Sequence, residues 1–275
     1  MTTVQDVLSC LEAFAPVETK MDFDNVGLLV GHRSAEVTKV LLALDVTCDV
    51  VAEAAGIGAE LVVAHHPVFF QRKDITDGDP TGARILALAE AKIAAICMHT
   101  NLDAAEGGVN DALAAALGLQ EVEPLGIDGV GPDGKPYGIG RVGRICPMEM
   151  PGFLSLVQKA LNVPGIRYWD AGRPVERVAV VGGAGGSDIL SAAAKGCDTL
   201  VTGEVKYHQW LDGREIGLNL VEAGHFCTEN PVLIPVSDLL GRQFPSLTVK
   251  YSEIHAPAAR YFVASNDCTE YFSGI

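Results

Sequence analysis

Five side chains in this 275-residue sequence are of the types that hold metal ions and stand at related places in the chain: His65, His66, Asp103, His225 and Glu229. His65 and His66 are adjacent. On an extended strand successive side chains point in opposite directions, so the pair is ill placed to grip one ion but can serve two neighbouring ions at a strand end. His225 and Glu229 are four residues apart, which puts them on one face if the segment is helical and still allows convergence in a turn. A carboxylate can bridge two cations about 3.5 to 4 Å apart, as two-metal sites require. Imidazole and carboxylate together suit Zn²⁺, Fe²⁺ or Mn²⁺ better than Ca²⁺, which favours an all-oxygen shell, and the choice among the three is open. The expectation is two divalent ions per chain. Each residue also has a plainer use: His65-His66-Pro67 as a strand cap, Asp103 as a cap of the following segment, His225 and Glu229 as an exposed pair. Their joint appearance at equivalent strand ends favours the metal.

The elements that must position them form two similar α/β halves. Val40 to Asp45, Leu61 to Ala64 and Ala94 to Met98 are short apolar runs of buried-strand type. Helical stretches from Cys48 to Ala59 and near Ala83 to Lys92 separate them. Strand, helix, strand, helix, strand implies a parallel sheet, with His65-His66 after its second strand and Asp103 after its third. The pattern recurs with strands at Val178 to Val181, Thr199 to Val201 and Leu218 to Val221, the last leading into His225 and Glu229. The fold class expected is α/β, with two similar half-domains, largely parallel sheets and the metal site in the cleft between them. Residues 1–125 make the first half, the Gly- and Pro-rich stretch 126–143 a connector, and 144–275 the second half, with a return of 231–275 to the first half left open. Ligands of such sheets gather beyond the carboxyl ends of the strands, where all five residues lie.

Other residues flank this cluster. Lys206 and His208 follow a strand of the second half and are candidates to hold a substrate phosphate or move protons, against a salt-bridged lysine and a structural histidine; with Glu229 they make up the proposed catalytic set. Asp24-Asn25 either orient ligands or substrate or form a turn before Gly27. His99 is a partner of the ligands or a substrate contact and stands outside the ligand set. Gly182 to Ser187 invites a nucleotide-loop reading, but Asp188 occupies the third glycine position of G-x-G-x-x-G, and a tight turn is favoured. Cys227, between His225 and Glu229, reads as a packed thiol.

Composition narrows the partners. With 35 acidic against 20 basic residues the formal charge is −15, which repels phosphate backbones and anionic membranes, so the expectation is a small-molecule or nucleotide substrate and no membrane, with nucleic acid disfavoured unless a local basic site overrides the field. Val4, Val7, Leu8, Leu11 and Phe14 predict an amphipathic N-terminal helix rather than a signal peptide, and no apolar run reaches the roughly 20 residues of a bilayer span. Seven cysteines without a C-x-x-C pair fit reduced, mostly buried thiols in a cytoplasmic chain.

Asp24-Asn25-Val26-Gly27-Leu28, His65-His66-Pro67, His99 to Asp103 with Gly108 to Asp111, Gly203 to His208, and Gly224-His225 through Thr228-Glu229 together resemble, in order, the GTP cyclohydrolase 1 type 2 family, also called the NGG-interacting-factor-like family. Phe23 stands where that family usually has Trp, and Glu204 where it usually has Asp. The resemblance implies a dinuclear metal centre with His65 and His225 on one ion, His66 and Asp103 on the other, and Glu229 as the bridge. It also implies a homohexamer and a hydrolytic opening of the guanine imidazole ring. The alternative from the residues alone is a non-enzymatic metal-binding regulator, carrier or scaffold. An open coordination position would separate the two, and five protein ligands shared by two ions leave positions free.

Overall fold

The computed structural model describes residues 1–262. In chain order its main elements are α1 (Val4–Phe14), β1 (Gly27–Val30), β2 (Lys39–Ala43), α2 (Cys48–Ile57), β3 (Leu61–Ala64), α3 (Pro80–Glu90), β4 (Ala94–Cys97), α4 (Thr100–Ala104) and α5 (Val109–Ala116). They continue with β5 (Gln120–Pro124), β6 (Gly129–Val130), β7 (Pro136–Tyr137), β8 (Arg141–Met148), α6 (Met150–Leu161), β9 (Arg167–Trp169), β10 (Val175–Val181), α7 (Ile189–Ala194), β11 (Thr199–Thr202) and α8 (Tyr207–Ile216). The last are β12 (Asn219–Glu222), α9 (His225–Glu229), α10 (Leu233–Gln243) and β13 (Thr248–Tyr251).

Capping chemistry fixes where several helices begin. Thr3 and Asp6 form a reciprocal capping box that starts α1, Thr47 accepts from the Val50 amide to start α2, and Asp79 caps α3 ahead of Pro80. The N-terminal periodicity is realised as α1, whose Val4, Val7, Leu8 and Leu11 are all buried.

One sheet has strand order β1-β4-β3-β2-β13 and the other β5-β8-β10-β11-β12-β9. In the first, β2, β3, β4 and β13 run parallel and β1 antiparallel. Its apolar strands are buried on both faces. Val40, Leu42 and Val63 meet α1 and α10, while Leu41, Val62 and Ala95 meet α2 and α3. Each fully buried Val or Leu there stabilises the fold by about 1.5–3 kcal/mol, and Leu42→Ala would cost about 2–5 kcal/mol. The second sheet likewise packs Val178, Val180 and Val201 against α5 and α6, and Ala179 and Leu200 against α7.

This second sheet is mixed rather than largely parallel: β10, β11 and β12 run parallel, but β5, β8 and β9 pair antiparallel. The reason is the stretch 126–143, which contains the β6–β7 hairpin and reverses the chain so that β5 and β8 must meet antiparallel. The two sheets also exchange strands. β5 joins the second sheet although it precedes residue 126, and β13 returns to the first, parallel to β2. Residues 263–275, which include Cys268, lie outside the described part. Of the six described cysteines, all unpaired, Cys97, Cys197 and Cys227 are buried, whereas Cys48 and Cys146 are exposed, contrary to a mostly buried set, because they sit at an element start and on an outward strand position. Among the described residues no helix is long and apolar enough to cross a membrane.

Candidate metal centre

β3 ends directly at His65 and His66, β4 runs into His99 and then α4 with Asp103, and β12 runs through Gly224 into α9, which carries both His225 and Glu229. All five sequence-predicted ligand residues therefore converge. Glu229 is at the middle: its Oε1 lies 3.6 Å from His65 Nε2 and 3.2 Å from His225 Nε2, and its Oε2 lies 3.2 Å from His66 Nε2. Asp103 Oδ1 is 3.7 Å from His65 Nε2, and the Nε2 atoms of His66 and His225 are 3.3 Å apart.

Two triads share Glu229: His65, Asp103 and Glu229, and His66, His225 and Glu229. Within each, the candidate ligand atoms lie no more than 4.8 Å from one another. This pairing differs from the one the resemblance implied, which put His65 with His225 and His66 with Asp103. The cause is the alternation along β3. His65 turns inward, toward the neighbouring β4 and α4, and is buried; His66 turns outward toward the α9 side and remains partly exposed. His99, left out of the ligand set on sequence, forms a third group with His65 and His66 within the same limit.

Each histidine is held through Nδ1. His65 donates to the Met98 carbonyl at 2.9 Å, His66 to Asp45 at 2.9 Å, His225 to Glu204 at 2.8 Å and His99 to Asp24 at 2.9 Å. A neutral imidazole donating through Nδ1 keeps its lone pair on Nε2, which in His65, His66 and His225 faces the cluster. Such outer partners are the usual support of a metal-bound histidine. Three buried atoms at the centre, His65 Nε2, Asp103 Oδ1 and Glu229 Oε2, make no hydrogen bond. Buried polar atoms rarely go unpaired, and here His65 Nε2 faces Asp103 Oδ1 at 3.7 Å while Glu229 Oε2 faces His66 Nε2 at 3.2 Å, ligand atoms gathered around space that a cation would fill. The residues present fit a bound divalent metal.

Electrostatics agree. Burial opposes charge on His65 and His66, yet the Glu229, Asp103 and Asp45 carboxylates outweigh it and raise both, His66 to about 10. The hydrogen bond to Glu229 leads in raising His225 to about 9. Burial pushes Asp103 up to about 6. Burial acts the same way on Glu229, but His65, His225 and His66 overcome it and hold this carboxyl well below its ordinary range. The cluster thus has a strong local demand for positive charge.

Gly182 to Asp188 is a structural turn. The amides of Gly182, Gly183 and Gly185 donate to Asn110, Thr228 and Thr202, so they are already committed within the protein. Asn110 also donates to the Asp103 carbonyl, tying the turn to α4. Gly183 has φ +64°, and a Cβ there would lie 2.2 Å from Glu229 Oε1 and 3.1 Å from His225 Nε2. Only glycine lets this backbone approach the cluster so closely.

Lys206 and His208 are exposed at the start of α8, and the Lys206 amide donates to Gln209 at 2.7 Å. Among the described residues neither makes a hydrogen bond or ion pair with the cluster. Asp24 is buried and accepts from His99 Nδ1 and from the Thr100 amide and hydroxyl, while Asn25 donates to the Phe69 carbonyl. Cys227 is buried in the core beneath α9. Asp45, which orients His66, is a residue that strand register places at the site. β2 and β3 are parallel with Ala43 opposite Ala64, so the register extended by two residues sets Asp45 beside His66.

A sequence model of Duf34/NIF3 (NGG1p interacting factor 3) matches residues 2–257. The chain is 37% identical over 250 residues to a Clostridium perfringens protein described as a GTP cyclohydrolase 1 type 2 homolog, covering 88% of this chain and 93% of that one. A Streptomyces coelicolor protein with the same description is 36% identical, covering 84% and 83%. Among solved structures, a Bacillus cereus protein related to NIF3 superposes with a TM-score of 0.86 at 26% identity, over 95% of this chain and 99% of that chain. Reduced HcgD from Methanocaldococcus jannaschii gives 0.78 at 27%, over 92% and 98%. With the match running from the first helix to beyond β13, this chain is a member of the Duf34/NIF3 family.

Proposed function

We propose that this protein is a metal-dependent hydrolase with a dinuclear centre held by His65, His66, Asp103, His225 and Glu229. The observation that carries it is the set of buried, unpaired ligand atoms on His65, Asp103 and Glu229, gathered in one cluster with the partly exposed His66 and His225. When bound, a pair of Zn²⁺, Fe²⁺ or Mn²⁺ ions supplies an acidified water and polarises the group to be attacked. The protein's part is orientation. Glu229 reaches both triads and would hold metal from each, Asp45, Glu204 and Met98 lock the imidazoles, and the Gly182–Gly183 turn shields one side. The substrate proposed is GTP, opened by water at C8 of its guanine imidazole ring, a choice that follows the names of the relatives.

The test is opening of the guanine imidazole ring of GTP, read as loss of the guanine ultraviolet absorption, with formate released only if a second water cleaves the resulting formamide, in metal-loaded wild type, chelated wild type and Glu229→Ala. Turnover confined to the loaded wild type supports the assignment. A loaded protein inert toward GTP, phosphoesters and amides would contradict it and favour a metal carrier or regulator. One observation already leans that way: Lys206 and His208, the candidate phosphate binder and proton donor, make no hydrogen bond or ion pair with the cluster among the described residues.

A further inference from the structure

Phe23 and Phe70 are large apolar side chains left in water, 62% and 48% exposed, close beside the cluster. They are not stray surface residues. Their rings lie 6.1 Å apart between centroids, and Phe70 stands edge-on to His99 at 6.1 Å. The His99 ring is in turn 5.1 Å from His65 and 5.5 Å from His66. An unbroken run of rings leads from solvent to the candidate ligands.

The run is rigidly mounted. Phe23 sits in the turn Met21 to Asp24, closed by the Asp24 amide on the Met21 carbonyl at 3.0 Å. The Met21 amide donates to Thr100 Oγ1 at 2.9 Å, and the buried Asp24 carboxylate accepts from Thr100 and His99. Asn25 donates across to the Phe69 carbonyl at 2.8 Å, which couples the Phe23 turn to the Phe70 loop. One buried carboxylate therefore fixes both the aromatic tip and the imidazole nearest the ligands. Polar groups inside the protein hold two phenyl rings out in water, tilted 47° to one another, which costs hydrophobic stabilisation and leaves them accessible to a ligand.

We propose that Phe23 and Phe70 form a stacking shelf that selects compounds carrying a flat aromatic or heteroaromatic ring and delivers a group on that ring to the metal centre. This assignment of substrate class rests on the metal-centre reading above. Stacking tolerates many rings because each has a π-face, so the shelf sets the class while the cluster sets the reacting group.

The test is calorimetric titration of zinc-loaded protein with naphthalene-2-carboxylate and with cyclohexanecarboxylate, which carries the same anchoring group on a ring without a π-face. Wild type, Phe23→Ala, Phe70→Ala and Phe70→Tyr are compared, with metal content and sedimentation measured on each. The naphthoate should bind wild type more tightly than the cyclohexane acid. It should weaken about tenfold in each alanine variant, a stacking-sized loss, and recover in Phe70→Tyr, all at unchanged metal content. Equal naphthoate binding in wild type and both alanine variants would overturn the shelf. So would a change confined to sedimentation, which would make the rings an assembly contact. If wild type takes up no metal, the metal-centre reading fails by itself. The same titrations on the metal-free protein then decide the shelf: ring-dependent binding lost in Phe23→Ala keeps it, and no ring preference removes it.

Discussion

His65 and Asp103 lie deep in the cluster, with side chains 0% and 13% exposed, while His66 and His225 stand nearer solvent at 23% and 35%. Both pairs use Glu229. The inner pair contains unpaired atoms, His65 Nε2 and Asp103 Oδ1, and its histidine leans on a main-chain carbonyl within the first sheet. The outer pair is braced by two carboxylates more accessible than the histidines they hold, Asp45 from the first sheet and Glu204 from the second. The difference assigns different duties under the proposed function. The inner position is a closed, slowly exchanging site that joins α4 to α9, and the outer one is open to water and substrate.

The strongest way to break this comparison is to remove what the two positions share. Glu229→Ala should take metal content from near two ions per chain to well below one, since each triad would keep only two protein ligands. Gly183→Ala should have the next largest effect, because its Cβ would push on Glu229 Oε1 and weaken both positions while leaving every ligand in place. Asp103→Ala and His225→Ala should each lower the stoichiometry by one ion, but a chelator challenge should separate them. Wild type should lose one ion quickly and one slowly, Asp103→Ala only the fast one, and His225→Ala only the slow one. Identical release from both variants would erase the distinction between inner and outer. Glu204→Gln and Asp45→Asn should retain both ions at saturation and lose about 10–100-fold in affinity at the outer position, the usual cost of removing a histidine's outer partner.

A pH series sharpens the same contrast. Without metal, His66 is raised to about 10 and His225 to about 9 from an ordinary 6.5. A raised pKa means that the folded state holds these protons more tightly than the unfolded chain. Their contribution to stability is complete below about pH 6.5 and disappears as pH rises through 9 and 10. Chelated protein should therefore lose stability across that alkaline range in thermal melts, and metal-loaded protein much less. Metal must displace the same protons, so affinity should rise with pH between about 6 and 9.

The candidate ligands were legible in the sequence because each follows a short apolar strand, and strands of this kind point their carboxyl ends at one place. How the chain after β3 turns His65 and His66 to different sides of the cluster is visible only in the folded chain. The central parallel strands were equally legible from runs such as Leu61 to Ala64, whose burial on both faces demands continuous apolar residues. The return of β13 to the first sheet was left open on sequence, and the passage of β5 into the second sheet left no such trace. β5 is exposed throughout and β13 nearly so, and edge strands of that kind carry little hydrophobic pattern. Phe23 and Phe70 could be noticed as aromatics, but their exposure and alignment exist only once Asp24 and Asn25 have drawn two distant loops together.

Anomalous diffraction from crystals of zinc-loaded protein tests the central claim most directly. Two peaks about 3.5–4 Å apart, as paired-metal sites require, are expected, one among His65, Asp103 and Glu229 and the other among His66, His225 and Glu229. No peak, or a single peak that leaves either triad empty, would contradict the paired centre.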